Sequence, residues 1–512
     1  MCTCLRRSMQ IRASGRTWVV LGIIILVVLG GWYSMNKRAV PLNKQGLAIP
    51  CTNCNIILIS VDSLRADHMS SYGYARNTTP HFDTFSKRGY LFENYFSTSF
   101  LTPVSEMSVH TGLYPSAHGV TNFDTALPSS ITTLTQYLKE RDYSTRALFS
   151  SPEFTAGNPA LEKSFSRGFD SYQYLDMKNN LVRQYPDQEQ LQKELSTAKN
   201  GKLFLWLGLG GVHWPYGQGT KNIFANQAYN GYFKDKALDW EVFKNIYDKT
   251  VYPSKTKLTE EDMNYVVDQY DNGVRSFDDF FAIFLKELEA QNMLNNTIII
   301  VQSEHGEDLG EHGYISHYDV YDTQTHTPLL VYVPNDTDGK RIRSFASSVD
   351  VFPSIIELLG GAAPESIQGT SLVPLLEGKE TDGQRRVVFS EKSPLWEEAY
   401  KTIRADLEKK GIPVVSGIYK DLSIRTGEWR YILRLSKPRL EIVSWWKRLV
   451  PITIPEAELY NLKEDPEEKH NVIDQHPLVA QDLKKKLMEW YASISPKNPK
   501  DIEHSSEIQP YF

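Results

Sequence analysis

The sequence has no basic excess. Its 512 residues carry 56 Lys and Arg against 62 Asp and Glu, a formal net charge of -6. A nucleic-acid partner is excluded on that ground, because nothing is in surplus to neutralise phosphates. Cysteine is scarce, with four in all. Cys51 and Cys54 form a C-x-x-C without the two further ligands a metal site needs nearby. No thioredoxin-like βαβ unit surrounds it either, so a local disulfide is the expectation. Internal repeats and low-complexity tracts are lacking too. What is present is an ordinary globular composition, 41% hydrophobic and 23% charged, long enough for a large α/β core plus an appendage. Aromatic residues reach 12%, which fits either core packing or a carbohydrate- or lipid-facing cleft.

One apolar run stands apart. Residues 17–36, centred on VVLGIIILVVLGG, carry no charge and match the roughly 20 residues that cross a bilayer as a helix. Trp18, Trp32 and Tyr33 sit at its ends, and Arg6, Arg7, Arg12 and Arg16 precede it. These basic residues outnumber Lys37 and Arg38 beyond it, so residues 1–16, with Cys2 and Cys4, are expected in the cytoplasm. The alternative is a cleaved signal peptide, but no small-x-small cleavage site follows the run. Both readings place everything after about residue 40 outside the cytoplasm, periplasmic or extracellular/lumenal. There the tripeptides starting at Asn77, Asn295 and Asn335 would be glycosylation acceptors only in a eukaryotic secretory pathway.

After a polar linker, 37–53, the chain alternates strands and helices. NIILISVD from Asn55 is continuously apolar, as a central parallel strand covered on both faces must be. Further strands are expected at 144–150, 202–209, 297–303 and 328–334. Helical patterns lie between them, one starting after Thr259 with Asp262 three residues on as a capping pair. The order predicts an α/β fold, a mostly parallel sheet sandwiched by helices over 54–384. Short strands and a closing amphipathic helix over 385–495 predict a small C-terminal α+β subdomain, with a tail at 496–512. Ligands in such sheets bind beyond the carboxyl ends of the strands, where Asp62, His213 and Glu304 fall.

Four places carry chemistry. Asp62 leaves the first strand and is either a hard-cation ligand or a helix cap. Thr102, before Pro103, reads as a helix N-cap, or as a nucleophile if a metal lowers its pKa. The loop SEHGEDLGEHGYISH, 303–317, holds Glu304, His305, Glu307, Asp308, Glu311, His312 and His317 directly after a buried strand. That density of O and N donors points to a metal or acid/base site. His213 in GLGGVHWPYG is equally a structural or a catalytic imidazole.

In order, ILISVDSLRADHMSSYGY, LTPVSEMSVHTGLYPSAHGV, VHWPY, TIIIVQSEHGEDLGEHG, SSVDVFPSIIELLGGAAPESIQGTSLVPLL and ELYNLKEDPEEKHNV resemble the segments of the sulfatase family, within the alkaline phosphatase superfamily. The resemblance covers roughly residues 55–490. It implies a metal-dependent ester hydrolase or transferase, with Asp62, Glu304 and His305 as ligands of one divalent ion (Mn, Mg, Zn or Ca). Thr102 stands at the nucleophile position and is the fourth ligand; His213 and His317 face the substrate. Three residues depart from the pattern. Thr102 replaces the Cys or Ser that sulfatases convert to formylglycine, Glu106 replaces the motif Arg, and Ser63 replaces the second Asp of a pair. Threonine cannot be converted to that aldehyde. The departures resemble the Thr-dependent branch, which includes phosphonate and phosphodiester hydrolases, lipoteichoic acid synthases and phosphoethanolamine transferases. The expected substrate is therefore a small-molecule, glycan or lipid-linked phosphate-type ester. A sulfate ester is the alternative, and an inactive membrane-tethered binding protein is the alternative of another class.

The span 17–36 and its basic flank predict a single pass with the C-terminus outside. A reporter fused after Phe512 should be active only outside the cytoplasm; activity inside would refute both the anchor and the signal peptide.

Overall fold

The first strand, β1 (Asn55–Val61), is buried at every position, which is what its unbroken apolar run requires. It lies inside an eight-stranded sheet. In chain order the other strands are β2 (Tyr90–Phe96), β3 (Tyr143–Phe149), β4 (Ser171–Tyr174), β5 (Lys202–Leu209) and β6 (Thr297–Gln302). A two-residue pair, β7 (Asp308–Leu309) and β8 (Ile315–Ser316), precedes β9 (His326–Tyr332) and β10 (Lys340–Ser347). The spatial order is β10-β2-β9-β6-β1-β5-β3-β4. Only β9 runs against the rest, so the expectation of a mostly parallel α/β sheet holds. This computed structural model describes residues 50–150, 159–175, 185–213, 216, 240–250, 257–336, 339–392, 420–435, 440–442, 449–451 and 455–494.

The register of β1 with its two neighbours positions the site. Ser60 pairs with Gln302 of β6 and Val61 with Leu209 of β5. Two residues further on, Asp62 and Glu304 therefore leave adjacent strands side by side at the carboxyl edge. Asp62 is still held to the sheet, its N–H donating to Leu209 O at 2.8 Å.

Three strands of this sheet, β2, β4 and β10, fall outside the sequence expectation; β4 is short and mostly half-buried. β10 is mostly exposed over its first half, and β2 turns half-buried at Glu93 and Asn94. Their mixed burial reflects the sheet edge, where one face is wet and the continuous apolar signal is lost. The long helix α2 (Glu260–Ala290) begins as expected. Thr259 accepts from Asp262 N at 3.1 Å while Asp262 accepts from Thr259 N at 2.8 Å. It covers one face of the sheet through Tyr270, Phe277, Phe280, Phe281 and Phe284. Earlier in the chain, α1 (Thr102–Thr111) is buried along its whole length.

Further strands are β11 (Val387–Lys392), β12 (Asp421–Thr426), β13 (Trp429–Arg434), the pair β14 (Leu440–Ile442) and β15 (Leu449–Pro451), and β16 (Ala457–Asn461). The antiparallel sheet β11-β12-β13-β16 packs on α3 (Pro477–Ile494) through Leu422, Ile424, Leu433, Leu459, Leu483 and Leu487. Cys51 and Cys54 form the expected disulfide. Among the described residues no helix is long and apolar enough to cross a membrane. The predicted span 17–36 lies outside the described residues.

Candidate active site

Asp62, Glu304 and His305 converge at the carboxyl edge of β1 and β6, each offering one donor atom within 4.8 Å of the others. All three are buried. His305 Nε2 lies 3.5 Å from Asp62 Oδ1 and 2.9 Å from Thr102 Oγ1. Thr102 was expected to cap its helix. Instead Leu101 occupies the cap position with no side-chain bond, Thr102 is the first helical residue, and its hydroxyl is turned toward His305. Gly112 ends α1 in the left-handed conformation at φ 66°, with Ile367 packed where a Cβ would stand.

The electrostatics suit a cation. Among the described residues neither carboxyl oxygen of Glu304 has a hydrogen-bond partner, and Asp62 Oδ2 has none. Burial raises the Glu304 carboxyl well above its usual range, and the neighbouring Asp62 and Glu106 add to the rise. A buried carboxylate that is ionised and unpaired costs several kcal/mol. A divalent ion would reverse that penalty. Burial also pushes His305 down to about 4, although Asp62 opposes the shift. The imidazole is therefore neutral. Its Nδ1 lies 2.9 Å from Gly306 O, so the proton is assigned to Nδ1 and the Nε2 lone pair faces Thr102 and the carboxylates. Mixed O and N donors of this kind fit a divalent metal ion.

His213 and His317 meet at the same place. Their Nε2 atoms are 3.2 Å apart, and the His317 ring centroid is 4.1 Å from that of His305. Burial, then the adjacent His305 and His213, hold His317 well below its usual pKa.

The rest of the 303–317 cluster does other work. His312 stacks on Tyr321 at 3.8 Å and pairs with Asp308, which raises the imidazole to about 9 against the effect of burial. Glu311 accepts from Arg65 Nη1 at 2.6 Å, and Arg65 also binds Glu307 O at 2.9 Å. Glu307 takes the Tyr216 hydroxyl at 2.7 Å, and burial pushes its carboxyl up to about 7. Glu106 supplies no cation. It accepts from Ser60 Oγ at 2.8 Å and Gln302 Nε2 at 3.0 Å, with His110 Nε2 3.4 Å away. Ser63 donates its hydroxyl to Asp62 Oδ1 at 3.2 Å.

If the three donors hold one ion, Glu304→Ala and His305→Ala should each lose bound metal in elemental analysis of purified protein. A full complement in both variants would refute the assignment.

Comparison with known proteins gives the family of the chain. The Sulfatase family model matches residues 54–362, more than half of the chain. An ulvan-active sulfatase from Formosa agariphila is 24% identical over 86% of this chain and 75% of its own. Arylsulfatase K of Rattus norvegicus is 22% identical over 85% of this chain and 77% of its own. Among solved structures, the phosphonate monoester hydrolase of Agrobacterium radiobacter superposes with a TM-score of 0.65 at 20% identity, over 86% of this chain and 96% of that one. A 2-O GAG sulfatase superposes with a TM-score of 0.63 at 19% identity, over 88% of this chain and 94% of that one. These two share the fold. The chain is a sulfatase-like ester hydrolase and belongs to the Sulfatase family.

Proposed function

We propose that this enzyme cleaves a phosphate-type ester — a phosphodiester, phosphonate or phospholipid head-group ester — with Thr102 as nucleophile. One observation carries the reading: Thr102 Oγ1 sits 2.9 Å from the neutral His305 Nε2, beside two buried carboxyl groups of which three oxygens have no partner among the described residues. Asp62, Glu304, His305 and Thr102 would hold a divalent ion, which would lower the pKa of the threonine hydroxyl and offset charge on the ester oxygens.

The chain's own groups account for the remaining steps. Thr102 Oγ1 attacks phosphorus in line; the P–O bond to the leaving group breaks, and the proton lost by Thr102 ends on the departing alcohol. The paired imidazoles of His213 and His317 are placed to relay that proton, because a hydrogen bond between facing Nε2 atoms lets one donate while the other accepts. Water, or a second alcohol in a transferase, then attacks the threonine adduct and restores the hydroxyl. A formylglycine route is closed to threonine, and Glu106 is engaged beneath the site where the resemblance expects an arginine. Both favour phosphate over sulfate. The alternative, a sulfated glycan or aryl sulfate, is supported by the sulfatase names of the curated relatives. We further propose that residues 17–36 tether the enzyme to the membrane with the site outside the cytoplasm. The Cys51–Cys54 disulfide supports an oxidising location.

The test is a panel of aryl phosphomonoester, phosphodiester, phosphonate and sulfate substrates. A phosphate-type ester should be turned over fastest, and Thr102→Ala should reduce that rate to background, a loss on the order of a millionfold for groups acting as a unit. Thr102→Ser should keep part of it. Wild-type turnover by Thr102→Ala, or a sulfate ester as the best substrate, would refute the reading.

A further inference from the structure

Two loops bring the metal donors together, and two uncharged hydroxyls fix both loops. The first loop, 62–65, turns sharply after β1. Ser63 adopts φ 63°, a left-handed conformation that a non-glycine residue holds only when its surroundings impose it. Three consecutive backbone groups of this turn point away from the sheet ladder, and each is taken by a side-chain hydroxyl. Tyr270, from the middle of α2, donates to Ser63 O at 2.6 Å and accepts from Arg65 N at 2.8 Å. Ser303 accepts from Leu64 N at 3.0 Å and donates to His305 O at 2.6 Å. Ser303 thus links the Asp62 turn directly to the Glu304–His305 loop, while Tyr270 anchors the same turn to the longest helix. Ser303, Tyr270, Ser63 and His305 are all buried, so water does not compete for these bonds.

Each hydroxyl has one proton, and each proton is spent on a carbonyl of a donor loop. Both hydroxyls are bonded to backbone groups of the two loops. Their geometry acts on where the donors stand. Removing the Tyr270 hydroxyl leaves Ser63 O and Arg65 N unpaired in a buried place and frees the strained turn that presents Asp62. Removing the Ser303 hydroxyl uncouples the two loops.

We infer that Ser303 and Tyr270 are positioning residues that preorganise the donors Asp62, Glu304 and His305 for a divalent ion. The inference rests on the metal reading of the site and adds how the chain keeps that site assembled.

Metal affinity reports this role more directly than activity does. Full-length protein is stripped of metal and titrated separately with Mn2+, Mg2+, Zn2+ and Ca2+ by calorimetry, beside thermal unfolding of the metal-free form. Tyr270→Phe and Ser303→Ala should each weaken binding about 10- to 100-fold, the usual cost of removing outer-sphere support. Tyr74→Phe serves as a control. It deletes another tyrosine hydroxyl, one bonded to Asp271 Oδ2 at 2.8 Å, and should leave affinity unchanged. If wild type binds metal and both test variants bind within twofold of it, the positioning role is overturned while the metal site stands, even if their unfolding temperatures fall. If wild type binds none of the four ions, the metal reading and this inference fail together. Ser303→Ala removes one oxygen from a small side chain, so it keeps the test decisive should Tyr270→Phe fail to fold.

Discussion

Two carboxyl groups, Asp62 and Glu304, are buried side by side at the ends of adjacent strands, and among the described residues three of their four oxygens have no hydrogen-bond partner. Such a pair is tolerable only if protonated or if a cation stands between them. The neighbouring features follow from that constraint. His305 is kept neutral by burial, with its proton directed to Gly306 O, so its free lone pair joins the carboxylates. Thr102 starts its helix with its hydroxyl 2.9 Å from His305 Nε2. The parallel register of β1 and β6 sets the spacing, because Ser60 opposite Gln302 brings Asp62 opposite Glu304.

Much of this was legible in the sequence because buried parallel strands write continuous apolar runs, and donors just past such runs fall at the sheet's carboxyl edge. Asp62, Glu304 and His305 could be located that way, and α2 by its Thr259–Asp262 cap. Other features left weaker marks. β2 and β10 lie toward a sheet edge and lack the unbroken run. Thr102 beside Pro103 carries the signature of a cap, yet its hydroxyl is spent on a distant residue, which local propensity cannot express. The seven donors of 303–317 looked like one site. Only long-range packing separates them: Arg65 claims Glu311, Asp308 claims His312, and Tyr216 binds Glu307. Tyr270 was indistinguishable from any core aromatic on a helix, because its role lies in one hydroxyl that periodicity does not see.

Glu106 shows how one substitution can redirect a site without dismantling it. The resemblance leads one to expect a cation there. The carboxylate is instead satisfied by Ser60 and Gln302 beneath the donors, and it adds negative charge beside Glu304. A divalent ion held by the donors would offset that charge. That charge balance, with a threonine that cannot become an aldehyde at the proposed nucleophile position, is the physical ground for proposing phosphate-type chemistry in a member of a family whose curated relatives here are named sulfatases.

The account stands or falls on covalent chemistry at Thr102. The direct measurement is peptide-resolved mass spectrometry of wild-type enzyme quenched during turnover of a slow phosphodiester. A phosphoryl or phospho-substituent adduct confined to the peptide containing Thr102 is the predicted result. An adduct on a different residue, or steady turnover with Thr102 unmodified at every quench time, would contradict it.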